Sequence, residues 1–218
     1  MAGSLDRAHP QLPGVSPTVF YLVRHAHAPW PGPGGGTEDG DRPLSAAGRT
    51  AAETLAGSLA RHPIDLIVSS PSLRAVQTVR PLADLLRLPV VIEPDLRERR
   101  LGDEEVAGTQ AFREAVAATW RDLTFAHPGG ESNAAAQARG AAVLDGLQRA
   151  RPGAKIVIGT HGNLLALMVR QHNAAIGWSF WASLAMPDLV VLTVSAEGEA
   201  TVARPAWRVA RPDAGHSS

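Results

Sequence analysis

The sequence predicts an α/β protein: a three-layer α/β/α sandwich with a mainly parallel central sheet and an antiparallel edge. Two patterns carry this expectation. Short β-branched runs bounded by turn residues alternate with longer Ala- and Leu-rich stretches of helical character. Such alternation builds parallel sheets covered on both faces. Near the C-terminus, two apolar runs are separated only by Ala196-Glu197-Gly198-Glu199, a hairpin-like turn that adds the antiparallel edge. At 218 residues the chain suffices for one domain with a substantial core, expected at 18–209 with 1–17 and 210–218 as flexible tails.

The elements follow in order. Thr18-Val19-Phe20-Tyr21-Leu22-Val23 reads as a buried strand. The Pro- and Gly-rich stretch 28–36 after it cannot be regular structure, and whether the 28–43 loop closes over a ligand is not written in its residues. Ser45 is placed to cap a helix running through Arg61. Ile64–Val68 reads as a strand. Pro71 suits the first position of a helix capped by Ser70 and running to Arg87. Pro89–Ile92 is a further strand, and Asp95–Gly108 is charged and irregular. Helices are expected over Ala111–Leu123 and Asn133–Ala150, with Glu131 helping to cap the latter. A strand over 155–160, a helix over 164–173 and strands over Leu189–Val194 and Ala200–Arg204 complete the pattern. The aromatic run Ile176–Trp181 is expected in the core rather than at a substrate mouth.

Composition narrows the function. Lys+Arg and Asp+Glu are both 21, so the net charge is zero and no global basic field points to nucleic acid or an anionic membrane. Zero cysteines exclude disulfides, Fe–S clusters and cysteine-rich zinc sites. No stretch has the length and apolarity of a membrane span, and Met1–Pro17 lacks the apolar centre of a signal peptide. A cytoplasmic location is the expectation. A homodimer is compatible with the sequence, which carries no signal of oligomeric state.

The chemistry concentrates at two junctions. The first strand ends in Arg24-His25-Ala26-His27, and the 155–160 strand ends in Thr160-His161-Gly162-Asn163. Open α/β sheets bind ligands beyond the carboxyl ends of their strands. Arginine forks onto phosphate or carboxylate, and histidine serves as nucleophile or proton carrier near neutral pH. A helix starting after His161 would point its N-terminus at an anion.

Leu22-Val23-Arg24-His25-Ala26 resembles the signature of the histidine phosphatase superfamily, which includes the cofactor-dependent phosphoglycerate mutases; alanine stands where glycine is usual. Leu44-Ser45-Ala46-Ala47-Gly48, Ser69-Ser70-Pro71-Ser72-Leu73-Arg74-Ala75-Val76-Gln77-Thr78, Leu96-Arg97-Glu98, Gly130-Glu131-Ser132 and Thr160-His161-Gly162-Asn163 resemble the later motifs, in order. The resemblance implies a phosphoglycerate mutase-like fold and a covalent mechanism. In it His25 attacks phosphorus and becomes a phosphohistidine, Arg24 and Arg74 clamp the phosphate, and His161 donates to the transferring phosphoryl group. Glu98 is the implied general acid, since a carboxyl group near anions has its pKa raised. Asp95, Glu104 and Glu105 are neighbouring alternatives, and Arg97, Arg99 and Arg100 act in the opposite direction. His27, Trp30, Thr160 and Gly162 are candidate substrate contacts, with a solvent-facing His27 an equal alternative. No metal or organic cofactor is implied.

The tract Arg99–Gly108 replaces the longer Tyr-, Gly- and Leu-Asn-Lys-rich tract of the mutases and is similar to the shorter one of the phosphatase branch, without its tryptophan. A compact tract suits an open site and hydrolysis. The expected activity is therefore a metal-independent phosphomonoesterase acting on a small phosphorylated metabolite. The alternatives are a phosphoglycerate mutase and a non-catalytic phospho-ligand-binding member. His25 and His27 as metal ligands are disfavoured, because the adjacent arginines repel a cation.

Overall fold

The computed structural model describes residues 16–29, 39–102 and 109–205. Strands β1 (Thr18–Arg24), β2 (Leu66–Ser69), β3 (Val90–Ile92), β4 (Lys155–Thr160), β5 (Asp188–Val194) and β6 (Ala200–Ala203) form one sheet in the order β3-β2-β4-β1-β5-β6. The pairs from β3 to β1 are parallel, and β5 and β6 are antiparallel to their neighbours. The helices are α1 (Ala46–Leu59), α2 (Leu73–Leu86), α3 (Thr109–Arg121), α4 (Asn133–Ala150), α5 (Gly162–Arg170) and α6 (Trp178–Ser183).

Strand alternation divides the core into two layers. Phe20, Leu22, Ile156, Ile158 and Val190 meet α4 and α5 on one face. Tyr21, Val23, Ile67 and Val157 meet α1 and α2 on the other. Helix α5 is buried from Gly162 to Val169, which explains its continuous apolar sequence. This is the expected sandwich with its antiparallel edge. No helix among the described residues is long and apolar enough to cross a membrane.

Several expected boundaries and caps move. Helix α2 starts at Leu73 with Ser72 as its N-cap, not at Pro71 after Ser70; the Ser70 side chain is buried and turned to His161 instead. Helix α5 starts at Gly162 with His161 as N-cap. Glu131 does not cap α4. It holds Arg139 through paired contacts of 2.9 and 2.7 Å, while Ser132 accepts from the Ala135 N–H. Ser45 caps α1 as expected, accepting from the Gly48 N–H at 3.0 Å. Trp30, Glu104, Glu105 and most of the expected tails lie outside the described residues.

The register places the chemistry. Arg24 of β1 is level with Thr160 of β4, and Ser69 of β2 is level with Gly159. The first residue beyond each strand is then tied to β4: the His25 N–H donates to the Thr160 carbonyl, and the Ser70 N–H to the Gly159 carbonyl. His25, His161 and Ser70 thus emerge side by side at the carboxyl ends of three adjacent strands.

Candidate active site

The His25 and His161 rings lie 5.2 Å apart in an edge-to-face arrangement. Arg74 reaches both from the first turn of α2 and is 2% exposed. Its Nε donates to His25 Nε2 at 3.3 Å, and its Nη2 is 3.2 Å from His161 Nδ1. A guanidinium only donates, so both ring atoms must carry lone pairs, which assigns the tautomers. His25 holds its proton on Nδ1 and donates it to the Ala26 carbonyl at 2.7 Å. His161 holds its proton on Nε2 and donates it to Ser70 Oγ at 2.8 Å. His25 Nε2 therefore presents its lone pair to Arg74.

Burial keeps His25 neutral. Desolvation, then repulsion from His161 when that ring is protonated, push its pKa down to about 3; the Ala26 carbonyl acts the other way, ahead of the smaller lowering effects of Arg74 and Arg24. The ring is held from behind, because the Ala26 N–H donates to Thr78 Oγ1, which in turn donates to the Arg74 carbonyl. One turn of α2 thereby positions both His25 and Arg74. Gly159 permits this close seating of α2 on the sheet: a Cβ there would lie 2.9 Å from Val79 Cγ1.

Arg24 is fixed by Nη1 donating to the Leu184 carbonyl at 2.6 Å, while its buried Nε has no hydrogen-bond partner. Burial lowers its pKa from the ordinary arginine value, and Glu98 and Asp188 oppose that shift. Gly162 makes room for it, since a Cβ would sit 2.9 Å from Arg24 Nε and 3.0 Å from Cζ. The absent side chain of Gly162 therefore accommodates the guanidinium.

Glu98 adjoins this group but is anchored. Its Oε2 accepts from the Asn163 N–H at 3.0 Å, and its Oε1 accepts from the Leu164 and Arg99 N–H groups at 3.0 and 2.8 Å. A carboxylate at the N-terminus of α5 complements the helix dipole. Its charged neighbours include Arg24 and Arg99.

Two candidate contacts are engaged by protein partners. Thr160 is fully buried and donates its hydroxyl to the Leu96 carbonyl, so it positions the loop that carries Glu98. His27 is exposed and pairs with Ser45 Oγ at 3.0 Å. The aromatic run expected in the core runs into α6 at the core's margin: Ile176, Phe180 and Trp181 are half-buried and pack against the main core cluster, and no residue of α6 is fully buried. Trp181 lines a cavity of about 210 Å³ together with Arg24, Phe112, Arg113 and Ala182. Ser70 and Thr78 escaped the sequence reading as site residues. Both lie inside the Ser69–Thr78 block, where Ser70 reads equally as a cap and Thr78, inside α2, as a hydroxyl bonding back to its own helix.

The site geometry agrees with the comparisons. Residues 20–205 match the histidine phosphatase superfamily (branch 1). A glucosyl-3-phosphoglycerate phosphatase of Mycobacterium tuberculosis is 35% identical over 140 residues, 59% of this chain and 63% of that protein, less than two thirds of its length. A probable phosphoglycerate mutase of Yersinia enterocolitica is 29% identical over 155 residues, 68% of this chain and 72% of that protein. The solved structure of a mycobacterial glucosyl-3-phosphoglycerate phosphatase superimposes with a TM-score of 0.69 at 26% identity, covering 85% of this chain and 97% of that one. The match of residues 20–205 spans almost every described element, and this chain belongs to the histidine phosphatase superfamily, branch 1.

Proposed function

We propose that the protein is a metal-independent phosphomonoesterase that acts on a small phosphorylated metabolite through a phosphohistidine at His25. The observation that carries this reading is the His25 tautomer, with Nδ1–H on the Ala26 carbonyl and the Nε2 lone pair facing Arg74. A residue that only capped a strand would need no such orientation.

An arriving phosphate dianion draws the Arg74 guanidinium from the histidines onto its non-bridging oxygens, joined by Arg24. His25 Nε2 then forms a bond to phosphorus as the bond to the leaving oxygen breaks. His161 Nδ1, relieved of Arg74, takes up a proton from solvent and donates it in a hydrogen bond to the transferring group, with Ser70 holding the opposite edge of its ring. Glu98 gives the leaving oxygen its proton. Backbone N–H groups occupy one lone pair of Oε2, leaving a second to carry that proton. In the second half, Glu98 takes a proton from water, the water oxygen bonds to phosphorus, the N–P bond breaks and inorganic phosphate leaves.

The names of the relatives support hydrolysis and a substrate built on a phosphorylated hydroxy acid. The test is turnover of p-nitrophenyl phosphate in the presence of a chelator, beside His25→Ala and with 3-phosphoglycerate in parallel. Chelator-resistant phosphate release that is lost in the variant supports the proposal. Interconversion of phosphoglycerates without phosphate release replaces it with a mutase, and activity that survives in His25→Ala removes the nucleophile.

A further inference from the structure

We infer that Phe112, Arg113 and Trp181 form a leaving-group subsite that selects phosphomonoesters whose leaving group is a ring carrying a carboxylate. The inference rests on the phosphatase reading for its orientation, because Arg24 belongs both to the proposed phosphate clamp and to this cavity. A phosphoryl group held at Arg24 directs the rest of its substrate into the cavity.

The lining has the two components that such recognition needs. Phe112 is 44% exposed, one of the few large apolar side chains left in solvent, and it lies on the cavity wall. Exposed aromatic surface beside a cluster of charged groups marks a ligand groove more than a fold requirement. The Trp181 ring is held in place by stacking on Trp178, with centroids 4.8 Å apart and planes 30° apart. It therefore offers a prepared flat surface whose ordering precedes binding. At about 210 Å³ the cavity accommodates one ring and its substituents, less than the roughly 300–1,000 Å³ of drug-sized pockets.

Arg113 supplies the charge. Its guanidinium carbon lies 6.0 Å from the Trp178 ring centroid, which orients the side chain toward the aromatic wall. Among the described residues no carboxylate pairs with it. One guanidinium fork matches one carboxylate in a bidentate contact, whereas a second phosphate dianion calls for more than one cation. Helix α3 contributes Phe112 and Arg113 from consecutive positions, and α6 contributes Trp181, so two elements outside the catalytic corner build the selectivity.

The experiment compares four phosphomonoesters: glycerol 3-phosphate with neither feature, 3-phosphoglycerate with the carboxylate, phenyl phosphate with the ring, and 2-carboxyphenyl phosphate with both. The full chain is expected to show kcat/KM about tenfold or more higher for 2-carboxyphenyl phosphate than for phenyl phosphate. Arg113→Gln, a change at an exposed position, is expected to collapse that ratio to about twofold or less. Trp181→Leu is expected to reduce the preference for ring over non-ring substrates. Dissociation constants of the same four compounds for His25→Ala, read by tryptophan fluorescence, report the subsite without turnover. Ratios near one that Arg113→Gln leaves in place, in turnover or in binding, overturn the subsite. Ranked binding with no hydrolysis by the native chain overturns the phosphatase reading and leaves the subsite standing.

Discussion

A buried neutral nucleophile makes a specific demand on the pH dependence of stability. His25 has its pKa pushed from 6.5 to about 3 in the folded chain, mainly by desolvation and by His161. Above pH 6.5 the ring is neutral folded and unfolded, and its titration costs nothing. Below 6.5 the unfolded chain takes up the proton and the folded chain does not, so stability falls as pH falls, and the loss continues until about pH 3. Each pH unit in that window costs about 1.4 kcal/mol. Between pH 7.5 and 5 the group alone therefore removes about 2 kcal/mol. The carboxylates and other histidines titrate too, so the comparison is with His25→Gln, which keeps a polar side chain but cannot take up the proton. Urea unfolding at pH 7.5, 6.5, 5.5 and 5 measures both proteins. The native chain is expected to lose about 2 kcal/mol more than the variant over that span. Parallel stability curves, or a His25 NMR titration centred near 6.5, would refute the neutral-nucleophile reasoning.

Other consequences are equally direct. Gly162→Ala places a Cβ 2.9 Å from Arg24 Nε, and displacing that guanidinium is expected to lower kcat/KM about tenfold to a hundredfold with the fold retained by circular dichroism. Ser70→Ala leaves the buried His161 Nε2–H without its acceptor. About 1–3 kcal/mol of stability is expected to be lost, with kcat falling more than KM rises, as steady-state kinetics would show. Thr160→Val removes the hydroxyl that fastens the Leu96 carbonyl, so it is expected to change kcat through Glu98 while leaving inhibition by inorganic phosphate nearly constant. Leu144→Ala, in the core between α4 and the sheet, is expected to cost about 2–5 kcal/mol in denaturant unfolding and to leave turnover of the folded protein near native.

The strand-to-histidine junctions were legible because apolar runs and their ends are local properties. Register, which brings His25 level with His161, is not, although parallel neighbours joined by helices make it natural once β1 and β4 pair. Ser70 shows where local reading stops. Ser-Ser-Pro before an apolar run suits a helix cap, and only the third dimension reveals that Ser72 caps while Ser70 turns to His161. Thr160 and Gly162 flank a histidine and so invite a ligand, yet one serves the Leu96 carbonyl and the other makes room for Arg24; both partners are distant in sequence. The aromatic run reads as core from composition, and Ile176, Phe180 and Trp181 do pack against the core, while its margin position leaves Trp181 also at the cavity wall. Glu98 was found by its motif, and its fastening to the first turn of α5 was invisible because no residue pattern within either segment encodes it.

The central claim is a phosphoryl group carried by His25 Nε2. Rapid-quench mixing of the native chain with substrate, followed by alkaline work-up and ³¹P NMR with peptide mapping, tests it directly. The account predicts a transient phosphohistidine on Nε2 of His25, formed before phosphate release and absent in His25→Gln. Full-rate hydrolysis with no phosphoenzyme, together with net inversion at a chiral phosphorus, would contradict it.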